Sequence, residues 1–189
     1  HQLFKKKVFP TLEDEIPTFF FLIDNLRFDQ WKIINEVITD YFRLEEEINY
    51  FSILPTATQY ARNAIFSGLT PLEMEKRFPK LWQNDEDEGG KNLYEDKFLE
   101  DQVKRIYRKP IKHSYTKVLT LEQGKDVLDN LGNLMHNQLN VLVYNFVDML
   151  SHARTDSSMI RELANDEAAY RSLTLSWFEH SPLLEAMKW

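Results

Sequence analysis

Two stretches of this chain admit few architectures. Thr18-Phe19-Phe20-Phe21-Leu22-Ile23 and Val141-Leu142-Val143-Tyr144-Asn145-Phe146-Val147 are apolar runs with almost no polar alternation. A strand with one solvated face alternates. A strand without alternation is covered on both faces, as in parallel sheets flanked by helices. Both runs fall far short of the roughly 20 apolar residues of a membrane-spanning helix. Each is followed at once by an aspartate, Asp24 or Asp148.

The remaining pattern alternates between strand and helix. Trp31, Ile34, Val37, Ile38, Tyr41 and Phe42 mark a helix after the first run. Glu46 to Leu54 alternates, with Ile48, Tyr50 and Ser52 on one face, and predicts a strand stopped by Pro55. Ala57 to Ser67 reads as a helix closed by Gly68, and Pro71 opens a short one ending before Pro79. Leu93 to Arg108 is an amphipathic helix, Ile111 to Leu119 a strand, and Leu121 to Met135 helical again. A long helix is expected from Ser157 to Phe178, and Pro182 opens a last one. Residues 83–92, with the acidic run Asp85 to Glu88, read as a solvated loop. Residues 1–17, with Lys5, Lys6 and Lys7, read as a lead-in or linker before a domain over 18–189. The expected fold is α/β, three layers (α/β/α) around a mostly parallel sheet.

Charge and cysteine content narrow the chemistry. The net charge of -7 opposes sequence-independent binding to a nucleic-acid duplex but leaves a small phosphate substrate open. With no cysteine, disulfides and thiolate metal sites are excluded. No signal peptide is visible, so a cytoplasmic location without membrane insertion is expected.

In parallel α/β sheets ligands gather at the carboxyl ends of the strands. Asp24 there is either an oxygen ligand for a metal or a turn residue. Thr56 or Thr58 is either an N-cap or a hydroxyl in the positive field of a helix N-terminus, where an alkoxide and a phosphoryl group are favoured. Asp148 and His152, four apart, share one face if the segment is helical, as a metal-binding pair or as a cap and a surface histidine. Arg62, one turn after Thr58, is a candidate phosphate clamp or a salt-bridge partner. Asn145 is a candidate to orient a ligand from a strand face. Arg27 and Asp29 fit helix entry or an ion pair, and Trp31 and Trp177 fit helical core stripes.

Asp, Thr and Asp-x-x-x-His at successive strand ends follow the order of the alkaline phosphatase superfamily. Pro55-Thr56-Ala57-Thr58, leading to Ser67-Gly68-Leu69-Thr70-Pro71, resembles the nucleophile segment of its nucleotide pyrophosphatase/phosphodiesterase branch. The blocks Ile23 to Trp31, Leu54 to Leu69 and Tyr144 to Arg154 resemble the PglZ domain, and most of all the effector domain of PorX-type response regulators of Bacteroidetes, which act in type IX secretion.

The resemblance implies a phosphodiesterase with two zinc ions (Zn2+). Asp24 and Thr58 would serve one ion, and Asp148 and His152 the other. Thr58 would be the nucleophile, with oligonucleotides or cyclic dinucleotides as substrates. The family's further ligands, an Asp-His pair and a later His, fall after Trp189. The chain then corresponds to the N-terminal portion of the domain, truncated at its C-terminal end, and is expected to turn over poorly alone. The same resemblance implies a receiver domain in one chain with it, a possible homodimer, and a sigma factor or membrane protein as partner. A non-catalytic, partner-binding output module is the alternative.

Overall fold

All six residues of Leu139-Asn140-Val141-Leu142-Val143-Tyr144 are buried, and they form the middle strand of a sheet in the computed structural model, which describes residues 1–82 and 92–189. In chain order the strands and α-helices among the described residues are β1 (Thr18–Ile23), α1 (Phe28–Thr39), α2 (Thr58–Ser67), α3 (Pro71–Arg77), α4 (Glu95–Gln102), β2 (His113–Val118), α5 (Leu121–Asp129), α6 (Leu131–Leu134), β3 (Leu139–Tyr144), α7 (Phe146–Asp156), α8 (Ser158–Leu163), α9 (Glu167–Glu179) and α10 (Pro182–Lys188). The chain divides into two compact units. One comprises His1–Thr18 and Ile48–Lys112, the other Phe19–Glu47 and His113–Trp189.

The second unit is built on the sheet, with strand order β1-β3-β2. β2 and β3 are parallel, in register from His113 opposite Leu139 to Val118 opposite Tyr144. The carboxyl end of β1 meets that of β3, where the Asp24 N–H donates to the Tyr144 carbonyl at 2.9 Å. This is the α/β fold with a parallel open sheet that the apolar runs call for. β1 is an edge strand, however, and is half-buried along its whole length. Leu142, Tyr144 and Val118 share one face, packed with Ile34, Val127, Phe178 and Leu183 from α1, α5, α9 and α10.

Asn140 is a fully buried polar residue in this central strand. Its Oδ1 accepts from Ser114 Oγ at 2.7 Å and from Asn137 Nδ2 at 3.0 Å, and its Nδ2 donates to the Leu134 carbonyl at 2.9 Å. The polar group is thereby supplied inside the core, as burial demands.

Three expectations for elements are corrected. The second apolar run leaves the sheet at Tyr144, not Val147; Asn145 is the N-cap of α7. Phe146 and Val147 are apolar because α7 buries a face, and a short apolar run does not distinguish that from a strand. The helix expected over Ser157 to Phe178 is two. Asp166 caps α9 by accepting the Ala169 N–H at 2.7 Å, while Ser157 caps α8. Glu46 to Leu54 joins no sheet among the described residues: Tyr50 is 55%, Leu54 82% and Phe51 wholly exposed. Side-chain alternation makes a strand only where a neighbouring ladder takes its N–H and C=O groups.

In the first unit the segment read as a lead-in is packed. Phe4, Val8 and Phe9 are buried, the Phe4 ring lying 5.6 Å from Phe9 and 5.9 Å from Phe66. Lys5, Lys6 and Lys7 of that stretch are exposed, in keeping with the solvated reading. α2 buries seven residues and ends where expected, on Gly68 at φ 66°, a left-handed conformation that suits glycine. The solvated loop expected over 83–92 lies outside the described residues except for Asn92.

Candidate active site

The carboxyl edge of the sheet carries the candidate residues of the second unit. β1 ends in a turn holding Asp24 and Asn25, the latter at φ 59°. Arg27 then enters α1, its N–H donating to Gln30 Oε1 at 3.0 Å. Beside Asp24, β3 ends at Tyr144, and the Asn145 N–H still reaches the Val118 carbonyl of β2 at 3.3 Å before α7 begins. Asn145 is therefore a helix cap at the sheet edge, not a residue on a strand face as expected.

Asp148 falls in the first turn of α7 and His152 one turn later. Their side chains approach to 3.8 Å, His152 Nε2 to Asp148 Oδ1, with the imidazole 76% exposed and the carboxylate 25%. A carboxylate oxygen and an imidazole nitrogen on one face suit zinc, and supply two of its usual four donors. Among the described residues no three His, Asp or Glu side chains gather as a metal cluster.

Thr58 lies in the first unit. It is the first residue of α2, half-buried, with Ala57 as the N-cap. It is thus no cap itself, and its hydroxyl stands at the positive end of a ten-residue helix. It does not follow a strand, because Glu46 to Leu54 is not one. Arg62, on the same helix, is committed elsewhere. Its guanidinium is buried against Glu95, with Nε and Nη2 both donating to the carboxylate. The phosphate-clamp reading of Arg62 gives way to a buried ion pair.

Arg27 and Asp29 are paired as expected, at 2.6 Å. Arg171 adds a second contact to Asp29 at 3.2 Å, and Arg27 also reaches Glu167. The hydrogen bond from Arg27 lowers the Asp29 carboxyl to about 2, so the stability it lends is present above pH 4 and drains as pH falls toward 2. Trp177 stacks on Phe146 at 4.3 Å, in keeping with a core role.

Two cavities of about 440 Å³ each border α7. One is apolar, walled by Leu121, Tyr144, Phe146, Met149, Trp177 and Pro182. The Tyr144 hydroxyl is buried there with no hydrogen-bond partner among the described residues, and burial pushes the phenol up to about 12. An unfolded tyrosine ionises near 10. Below that both states are neutral; between pH 10 and 12 only the unfolded chain loses the proton, so stability falls as pH rises, by up to about 1.4 kcal/mol per pH unit. Tyr144→Phe is expected to remove that slope and to be at least as stable at neutral pH. Urea unfolding on either side of pH 10 checks both.

The other cavity is basic, with Arg27, Arg154 and Arg161 in its wall. Sequence reading had not brought these together: they come from the turn after β1, from α7 and from α8. The one available signal was three arginines near the candidate ligands in a chain of net charge -7.

No helix among the described residues is long and apolar enough to cross a membrane. No curated protein matches the chain. The family model described as the BREX system PglZ alkaline phosphatase-like domain matches residues 3–187. A parallel α/β sheet with acidic residues along its carboxyl edge accords with that match over nearly the whole length, and the chain belongs to the PglZ family of alkaline phosphatase-like domains.

Proposed function

We propose that this alkaline phosphatase-like chain serves a zinc-dependent phosphodiesterase, with Thr58 as the nucleophile and Asp24, Asp148 and His152 as metal ligands. The observation that supports it best is the Asp148–His152 pair, 3.8 Å apart on α7 where β3 leaves the sheet. Zinc, when bound, supplies positive charge that screens phosphoryl oxygens and lowers the pKa of a nearby hydroxyl. The Thr58 Oγ bonds to phosphorus as the bond from phosphorus to the leaving alcohol breaks, and the alcohol departs with a proton. Water then cleaves the bond between Thr58 and phosphorus, which still carries the second ester group, releasing a phosphate monoester and returning the hydroxyl. The α2 N-terminus favours both the alkoxide and the bound phosphoryl group. Oligonucleotides or cyclic dinucleotides are the proposed substrates. The resemblance of Tyr144 to Arg154 to PorX-type effector domains supports a role as the cytoplasmic output of a response regulator, alongside a receiver domain.

Zinc titration by calorimetry tests the ligand assignment. Asp148→Ala and His152→Ala are each expected to weaken zinc binding at least about 10-fold. Unchanged affinity in both would refute the assignment, whatever the turnover.

A further inference from the structure

We infer that the basic cavity beside α7 is a binding site for a phosphate-type oxyanion. Its wall presents Arg27, Arg154 and Arg161 together with the neutral groups of Asn25, Ser151 and Thr155. Among the described residues no Asp or Glu lines it. In a chain of net charge -7, three cations in the wall of one concavity, with no carboxylate in that wall among the described residues, concentrate positive potential there.

Ion pairing does not exhaust these arginines. Arg27 and Arg154 share the carboxylate of Glu167, and Arg154 Nε also donates to the Ala164 carbonyl at 3.0 Å. Both guanidinium groups lie over the Tyr170 ring, at 5.2 and 4.8 Å from its centre. Those contacts hold each planar fork in place, and a guanidinium carries five N–H groups. The Arg161 side chain makes no ion pair or hydrogen bond among the described residues. Counting Arg27, Arg154, Arg161 and Arg171 against Asp29 and Glu167 leaves two positive charges in the cluster. Arginine forks match the spacing of phosphate oxygens. The hydroxyls of Ser151 and Thr155 add short neutral donors.

The cavity also borders the candidate ligands. Ser151 precedes His152, and Thr155 follows it by three residues, which places them next to the Asp148–His152 face at helical spacing. A ligand phosphate seated among the arginines would stand beside that pair. Its use as a substrate subsite rests on the phosphodiesterase reading above; anion binding itself does not.

The test is calorimetric titration of the protein with inorganic phosphate in EDTA, so that neither metal nor turnover enters. Millimolar binding is expected. Arg161→Ala should weaken it by about 10-fold, the loss of one charged hydrogen bond, and Arg161→Glu should abolish it. Because the Arg161 side chain has no partner among the described residues, both variants should melt with the wild type. A parallel titration with phenyl phosphate separates two sources: equal binding assigns the site to a terminal phosphate on a larger ligand, and binding of inorganic phosphate alone assigns it to the free ion. Absence of binding in the wild type, or undiminished binding in Arg161→Glu, overturns the inference. Either result is independent of zinc-dependent hydrolysis, so the two readings fail separately.

Discussion

Glu95→Ala is expected to destabilise the protein by about 3–5 kcal/mol. The Arg62 and Glu95 side chains are 3% and 0% exposed, and two guanidinium nitrogens donate to the one carboxylate. Removing the carboxylate leaves a cation in the interior that does not neutralise itself by losing a proton. The loss is therefore mostly the penalty of a buried cation deprived of its carboxylate, not the worth of the bond. The double replacement Arg62→Met with Glu95→Leu removes both charges and should recover most of it. Urea unfolding of the single and double variants measures the difference. A single-variant loss under about 1 kcal/mol would mean that water reaches Arg62. It would return that arginine to the candidates for phosphate binding.

Thr58→Ala is expected to lower zinc-dependent hydrolysis of bis(p-nitrophenyl) phosphate by at least about 10³-fold, as loss of a nucleophile does in other covalent mechanisms. Stability should hardly change. Thr58 is the first helical residue and not the cap, and alanine is the better helix former. A fold defect and a chemical defect are thus separable at this position. Turnover that survives the substitution sinks the mechanism. No turnover in the folded, zinc-loaded full-length protein shifts weight to a partner-binding output module.

The helices were legible where chemistry marks their ends. Gly68 closes α2, Pro71 opens α3 and Pro182 opens α10, each at the position its backbone preference dictates. The doubly covered sheet was legible in β3, whose six residues are all buried. What misled was apolar content without a turn signal. Asn145 separates strand from helix inside one hydrophobic run, and Ala164 to Asp166 separate α8 from α9 inside one helical pattern. Local sequence carries both breaks only as single polar side chains, whose weight depends on what they cap. Of the candidate site, the Asp148–His152 pair was readable because four residues is one helical turn. The fate of Arg62 was not, since its partner Glu95 lies 33 residues away and no local pattern links them. The arginine cavity is assembled from separate segments and left no contiguous trace.

Asn140 has a consequence for how this chain finds its pairing. Sliding β3 by two residues along β2 would keep every side chain on its own face, so hydrophobicity alone barely penalises the misaligned sheet. In the native alignment Ser114 stands opposite Asn140 and bonds to it, while Leu134 and Asn137 in the preceding turn complete the set. A slipped strand would carry the amide away from its hydroxyl partner and leave part of it unmet in the core, at a penalty of about 1–3 kcal/mol. One buried amide in an otherwise greasy strand thus acts as a vernier mark, making one alignment of the sheet preferable to its near-equivalents.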